Sequence, residues 1–213
     1  MRLRAFCHGQ RGFDSCQRAG PARVKGIWLL RHGALPPNPE RRLTGARDIP
    51  LSAAGRAQVR ALAQDFLPAL EPEPAAVLCS DLGRCRETAA LLLDGRQRGW
   101  PLHVEPDLRE IGLGLWEGLT WAEVRDLWPG AFEARGLDMM NYVPPGGESF
   151  RMVQRRALHA LARWRQRYPG GTLLLITHAG VMRALLARYF GLPLEAVWHI
   201  PGQCASRRFL PGW

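Results

Sequence analysis

Short apolar runs alternate with amphipathic stretches along this chain, and that alternation points to one architecture: a mainly parallel sheet with helices on both faces. The clearest run is Thr172-Leu173-Leu174-Leu175-Ile176. It is continuous and too short for a buried helix, so it reads as an interior strand. Similar runs predict strands over 26–30, 75–79 and 102–104, and residues 196–210 supply a last one. A helix is predicted over 53–67, capped by Ser52 and stopped by Pro68, with Val59, Leu62, Ala63, Phe66 and Leu67 at helical spacing. Further helices are expected over 82–93, closed by Asp94-Gly95, over 149–168 and over 181–190. Residues 112–147 break this pattern. Trp116, Trp121, Trp128, Met139, Met140 and Tyr142 stand there among glycines and prolines, which reads as a helical lid inserted over the sheet edge. The expected fold is α/β, a three-layer α/β/α domain over 24–213, preceded by a mobile extension over 1–23.

The chain of 213 residues is long enough to bury one core. No apolar run approaches the ~20 residues that span a bilayer. Residues 1–21 carry arginines without an apolar stretch of the secretory kind, so the cytoplasm is the expected location. The formal net charge of +10 raises nucleic acid as a partner. Half of that charge lies in residues 1–25, where Arg2, Arg4, Arg11, Arg18, Arg23 and Lys25 face only Asp14, and Lys25 is the sole lysine. A basic tail and an arginine-biased composition account for the charge, and no nucleic-acid partner is expected. Cys7, Cys16, Cys79, Cys85 and Cys204 form no CxxC pair, which fits neither a disulfide framework nor a zinc ribbon. Cys7, His8 and Cys16 lack a fourth ligand. No heptad argues for an oligomer, and the oligomeric state is left unassigned.

The chemistry collects where the strands end. The first strand runs into Arg31-His32-Gly33, and the second into Ser80-Asp81 with Arg84 in the first turn of the next helix. The strand over 172–176 runs into Thr177-His178-Ala179-Gly180. Parallel strands place their carboxyl ends on one edge, where open α/β sheets bind ligands. Two arginines, two imidazoles and two helix N-termini on one edge suit a phosphate. No carboxylate sits at ligand spacing beside either histidine, and flanking arginines repel a cation, so no metal is expected. A strand-end histidine, a helical arginine or Glu110 is unremarkable alone. Packing does not explain their joint occurrence in this order.

Together these residues resemble the histidine phosphatase superfamily, with its phosphoglycerate-mutase-like fold. Leu30-Arg31-His32-Gly33 looks like the nucleophile motif, and Gly45, Asp48, Pro50-Leu51-Ser52 and Gly55 like the segment that follows it. Ser80-Asp81-Leu82 with Arg84 and Thr88-Ala89 resembles the second motif. Leu108-Arg109-Glu110 with Trp116-Glu117-Gly118 resembles the third, and Thr177-His178-Ala179-Gly180 the fourth. Pro145-Gly146-Gly147-Glu148-Ser149 also matches, so the resemblance covers about residues 25–200.

The resemblance implies a phosphomonoester hydrolase that needs neither metal nor cofactor. His32 would attack phosphorus and carry it as phosphohistidine, its other ring nitrogen held by a backbone carbonyl. Arg31, Arg84 and His178 would stabilise the equatorial oxygens, with His178 protonated beside the dianion. Glu110 is the candidate general acid, which calls for burial or a neighbouring anion to keep it partly protonated, and Glu117 competes for the role. Asn38, Thr44 and Gly45 match positions near the substrate or its phosphate. The partner is a small-molecule phosphate ester. The family often follows its His-Gly with Glu-Thr, whereas Ala34-Leu35 and then Pro36-Pro37 follow here, so contacts with the substrate should differ. The compact stretch after His178 favours hydrolysis over phosphoglycerate mutase activity. Residues 191–199 resemble the tail of α-ribazole phosphatases, which suggests α-ribazole 5'-phosphate, with sugar phosphates as the alternative. A catalytically silent phosphate-binding protein would be expected to have lost one of the five central residues, and all five are present.

Overall fold

The computed structural model describes residues 25–94, 99–198 and 202–213. The expectations for the extension over 1–23, for a cap at Gly95 and for His199 lie outside these residues. Five strands form one sheet: β1 (Gly26–Arg31), β2 (Ala76–Cys79), β3 (Leu102–Val104), β4 (Thr172–Thr177) and β5 (Arg207–Pro211). Their spatial order is β3-β2-β4-β1-β5. The first four are mutually parallel, and β5 pairs antiparallel with β1 at the edge. The helices are α1 (Ala53–Phe66), α2 (Gly83–Leu93), α3 (Trp121–Leu127), α4 (Ala131–Leu137), α5 (Phe150–Arg167), α6 (Ala179–Phe190) and α7 (Leu194–Trp198).

Alternation along the strands divides the core between two faces. Ile27, Leu29, Leu78, Leu173 and Leu175 point to the layer of α5, α6 and α7. Leu30, Val77, Cys79, Leu174 and Ile176 point to α1 and α2. Burial on both faces is why β4 reads as an unbroken apolar run instead of an alternating one. The Ser52 side chain accepts from the Gly55 N–H at 2.9 Å and caps α1. That helix buries Gly55, Val59, Leu62, Ala63 and Phe66, and each larger apolar side chain contributes roughly 1.5–3 kcal/mol.

Two elements differ from expectation. The last strand occupies only the end of the anticipated range, and Leu194–Trp198 forms a helix before it. Only Leu194 and Val197 of that helix are buried, too few to establish a period. Helix α2 has no side-chain cap of its own. Its first N–H, at Gly83, donates instead to the Asp48 carboxylate at 2.8 Å, a cap supplied from another loop.

Within 112–147, α3 and α4 follow a single 3-10 turn at Gly114–Trp116. Trp116 is fully buried and stacks on Tyr142, with Trp121 and Trp128 nearby. Thr120 and Glu123 form a reciprocal capping box on α3. No described helix is long and apolar enough to cross a membrane.

Candidate active site

The strand register brings the reactive residues to one level. Arg31 pairs with Thr177, while Leu30 and Cys79 both lie opposite Ile176. Each chain then runs one residue further, so His32, Ser80 and His178 leave the same edge. The His32 N–H donates to the Thr177 carbonyl at 3.1 Å and the Ser80 N–H to the Ile176 carbonyl at 3.0 Å, extending the ladder into the site. The two imidazoles lie with ring centroids 5.2 Å apart.

His32 is 3% exposed and its Nδ1 lies 2.7 Å from the Gly33 carbonyl oxygen. A carbonyl can only accept, so Nδ1 carries the proton and Nε2 keeps its lone pair. Among the described residues nothing hydrogen-bonds Nε2. Burial pushes this histidine down to about 3, against the opposing pull of the Gly33 carbonyl and with help from Arg31 and Arg84. The turn that allows this is tightly packed. A Cβ at Gly33 would stand 2.7 Å from the Gly55 carbonyl oxygen, and one at Gly55 would stand 2.1 Å from that of Ala34. The Gly33 N–H donates to Thr88 Oγ1, which donates in turn to the Arg84 carbonyl.

Arg84 is 1% exposed and braced from three sides. Its Nε donates to His178 Nδ1 at 3.2 Å, Nη1 to the Arg47 carbonyl at 2.6 Å and Nη2 to the Gly45 carbonyl at 3.0 Å. Three of its five N–H groups are thereby used, which leaves two to offer a ligand. Because Arg84 donates to Nδ1, the His178 proton sits on Nε2, 2.8 Å from Ser80 Oγ. Burial first, then the charges of Arg84, His32, Arg156 and Arg31, hold His178 well below its ordinary range. The histidine expected to be an imidazolium is therefore neutral here, and a dianion is the counter-charge that would reverse this. Arg31 donates through Nη1 to the Gly202 carbonyl, while its Nε is buried without a hydrogen-bond partner among the described residues.

Glu110 reaches the same edge from the loop after β3. Its carboxylate accepts from its neighbour Ile111 at 3.0 Å and from Gly180, in the first turn of α6, at 3.2 Å. A Cβ at Gly180 would meet Glu110 Oε1 at 2.3 Å, so glycine is what allows the approach. A cavity of about 440 Å³ opens beside it, lined by Ala46, Arg109, Glu110, Gly147, Glu148 and Arg156 among others. Glu117 is committed elsewhere. One of its oxygens takes the N–H groups of Ala46 and Leu113, clasping two loops together.

The remaining expected residues lie on the loop after β1. Asn38 uses both ends of its amide on the backbone of Arg42, closing its own loop. Thr44 lines a cavity of about 290 Å³ with Leu35, Pro36, Pro37 and Arg47 among its other walls. Gly45 contributes its carbonyl to Arg84 and adopts φ of +51° against Glu117. Among the described residues no group of three or more His, Cys, Asp or Glu side chains is placed to hold a metal ion.

Two residues absent from the sequence reading belong to this neighbourhood. The Arg183 guanidinium lies 4.2 Å from the Trp198 ring centre, its Nε is buried without a partner among the described residues, and burial and Arg31 lower its pKa. Arg156 forks onto Glu148, with both contacts at 2.9 Å. Arg156 was legible only as a flank: it stands between Val153 and Ala157, both of which are buried in α5.

A mainly parallel sheet that gathers two histidines, the buried Arg84, the half-buried Arg31 and a carboxylate at one carboxyl edge defines a phosphate-handling α/β enzyme. The chain belongs to the histidine phosphatase superfamily (branch 1), whose family model matches residues 27–210, and it is a phosphoric monoester hydrolase. It is 32% identical over 173 residues to the adenosylcobalamin/alpha-ribazole phosphatase of Escherichia coli (strain K12), covering 81% of this chain and 83% of that one. It is 35% identical over 187 residues to the glucosyl-3-phosphoglycerate phosphatase of Mycolicibacterium vanbaalenii, covering 84% and 80%. Among solved structures, the alpha-ribazole phosphatase from Shigella flexneri superimposes with a TM-score of 0.75 at 29% identity, covering 86% of this chain and 89% of that one.

Proposed function

We propose that the enzyme hydrolyses small phosphomonoesters through a phosphohistidine on His32. The observation that carries this reading is the tautomer. With Nδ1 protonated and bound to the Gly33 carbonyl, Nε2 holds the lone pair that attacks phosphorus. The N–P bond forms as the ester P–O bond breaks, and protonated Glu110 gives its proton to the departing oxygen. Water then attacks phosphorus, Glu110 takes back a proton, and the N–P bond breaks to release inorganic phosphate. The free N–H groups of Arg84, together with Arg31 and a protonated His178, hold the equatorial oxygens. Residues 112–147 act as the lid, tied to the loop after β1 through the Glu117 clasp. Asn38 serves the substrate side indirectly, by closing its own loop, and Thr44 lines the cavity beside it.

The relatives' names make α-ribazole 5'-phosphate the first ester to test, followed by sugar phosphates and by 3-phosphoglycerate with and without 2,3-bisphosphoglycerate. The mechanism is tested with p-nitrophenyl phosphate in excess EDTA, comparing the wild type with His32→Ala. Activity should survive the chelator and fall at least about a thousandfold in the variant. Equal rates in the two proteins would remove His32 as nucleophile.

A further inference from the structure

Glu110 sits in a stretch with no regular secondary structure. It follows the single 3-10 turn Pro106–Leu108 and precedes the one at Gly114–Trp116. No helix or strand ladder fixes its backbone, yet a proton donor must hold its carboxyl within hydrogen-bond reach of the leaving oxygen. Beside the bonds of its carboxylate to the Ile111 and Gly180 N–H groups, its backbone is gripped by one side chain from α5. Arg156 donates through Nη1 to the Asp107 carbonyl at 2.7 Å and through Nη2 to the Glu110 carbonyl at 3.1 Å. Its Nε and Nη2 grip the two oxygens of Glu148. Glu148 in turn accepts from the Gly112 N–H at 3.0 Å, while its own N–H donates to the Gly112 carbonyl at 2.7 Å. One guanidinium therefore holds the chain before Glu110, at Glu110 and, through Glu148, two residues after it. The Arg156 and Glu148 side chains are only 18% and 26% exposed, so water competes poorly for these bonds.

We propose that Arg156, working with Glu148, is the positioning residue for the proton donor Glu110, so that it sets the enzyme's reach toward esters with poor leaving groups. This rests on the reading of Glu110 given above. The planar fork is what the role demands, because lysine has three donors on a single nitrogen and cannot match the four hydrogen bonds that Arg156 spreads over three nitrogens. A misplacement of about 1 Å costs on the order of a hundredfold when a reacting group must be aligned.

The test is the dependence of kcat/KM on leaving-group acidity, from p-nitrophenyl phosphate through phenyl phosphate to an alkyl ester such as β-glycerol phosphate. A p-nitrophenolate departs without protonation, whereas an alkoxide needs the acid. Arg156→Ala should lose less than about fivefold on the nitrophenyl ester and about a hundredfold on the alkyl ester. Arg156→Lys should fall between it and the wild type. Glu110→Gln provides the reference, with the steepest dependence of all. If Arg156→Ala does not fold, Glu148→Gln and Arg156→Lys give the same reading, each checked by thermal melting. A uniform loss across the series in the Arg156 and Glu148 variants, with Glu110→Gln steep, would overturn the positioning role while leaving Glu110 in place. A flat series in Glu110→Gln itself would overturn the general-acid reading, and this proposal with it.

Discussion

His32 and His178 are both held neutral chiefly by burial, with different consequences. His32 owes its neutrality to burial, and keeps its Nε2 lone pair because Nδ1 is bound to a carbonyl. His178 is held down by burial and then by the surrounding cations, so its protonated form gains stability when a dianion arrives. Binding of a dianion should therefore carry a proton into the site. Sulfate is a suitable probe because it has no proton of its own to lose near neutrality. Calorimetry of sulfate binding at pH 7, in two buffers of different ionisation enthalpy, should show uptake of close to one proton. His178→Gln should abolish the uptake and weaken binding. Equal heats in both buffers for the wild type would mean that His178 stays neutral beside its ligand. A carbonyl partner for His32 was expected from the family resemblance and from the need to fix its tautomer. The neutrality of His178 was not, because the sequence does not reveal that Arg84 spends its Nε on that ring.

At the level of elements, the site depends on how closely the loop after β1 lies on α1. The Gly55 backbone touches Ala34 so tightly that any Cβ would overlap its carbonyl oxygen. Gly55→Ala should therefore destabilise the fold by roughly 1–3 kcal/mol, as overpacking does. It should also lower kcat on p-nitrophenyl phosphate at least tenfold, because the loop that must shift carries His32 and Gly33 at its start. Melting temperature and steady-state rates check the two effects separately, and an unchanged melting point would show that the contact relaxes freely. Strand positions were legible because β1, β2 and β4 are buried on both faces and read as unbroken apolar runs. The short helix α7 was not, having only Leu194 and Val197 to mark it. Contacts between loops were the least visible. The Asp48 cap on α2 spans 35 residues and the grip of Arg156 on Glu110 spans 46, and no local pattern encodes either.

For the molecule as a whole, the buried histidines tie stability to acidity. The ordinary value for His32 is 6.5, and in the fold it is about 3. Between those values the unfolded chain binds a proton that the native state refuses. Stability is therefore full above pH 6.5 and declines as pH falls, by about 1.4 kcal/mol per pH unit for this one group. His178 acts in the same direction. Urea midpoints measured at pH 7 and pH 5 should drop for the wild type and drop less for His32→Gln. Identical shifts in both proteins would place the acid sensitivity elsewhere.

The outermost strands have a bearing on how the protein behaves in crowded solution. A sheet that ends in a long, flat strand offers its free N–H and C=O groups as a template for the next chain. Here one outer strand, β3, has only three residues, too few for a stable foreign pairing. The other, β5, presents Arg207 and Arg208 and finishes at Pro211, which has no N–H to give. Length blunts one border, and charge with a proline blunts the other. Both borders of the ladder that aligns two histidines thus disfavour the addition of a foreign strand.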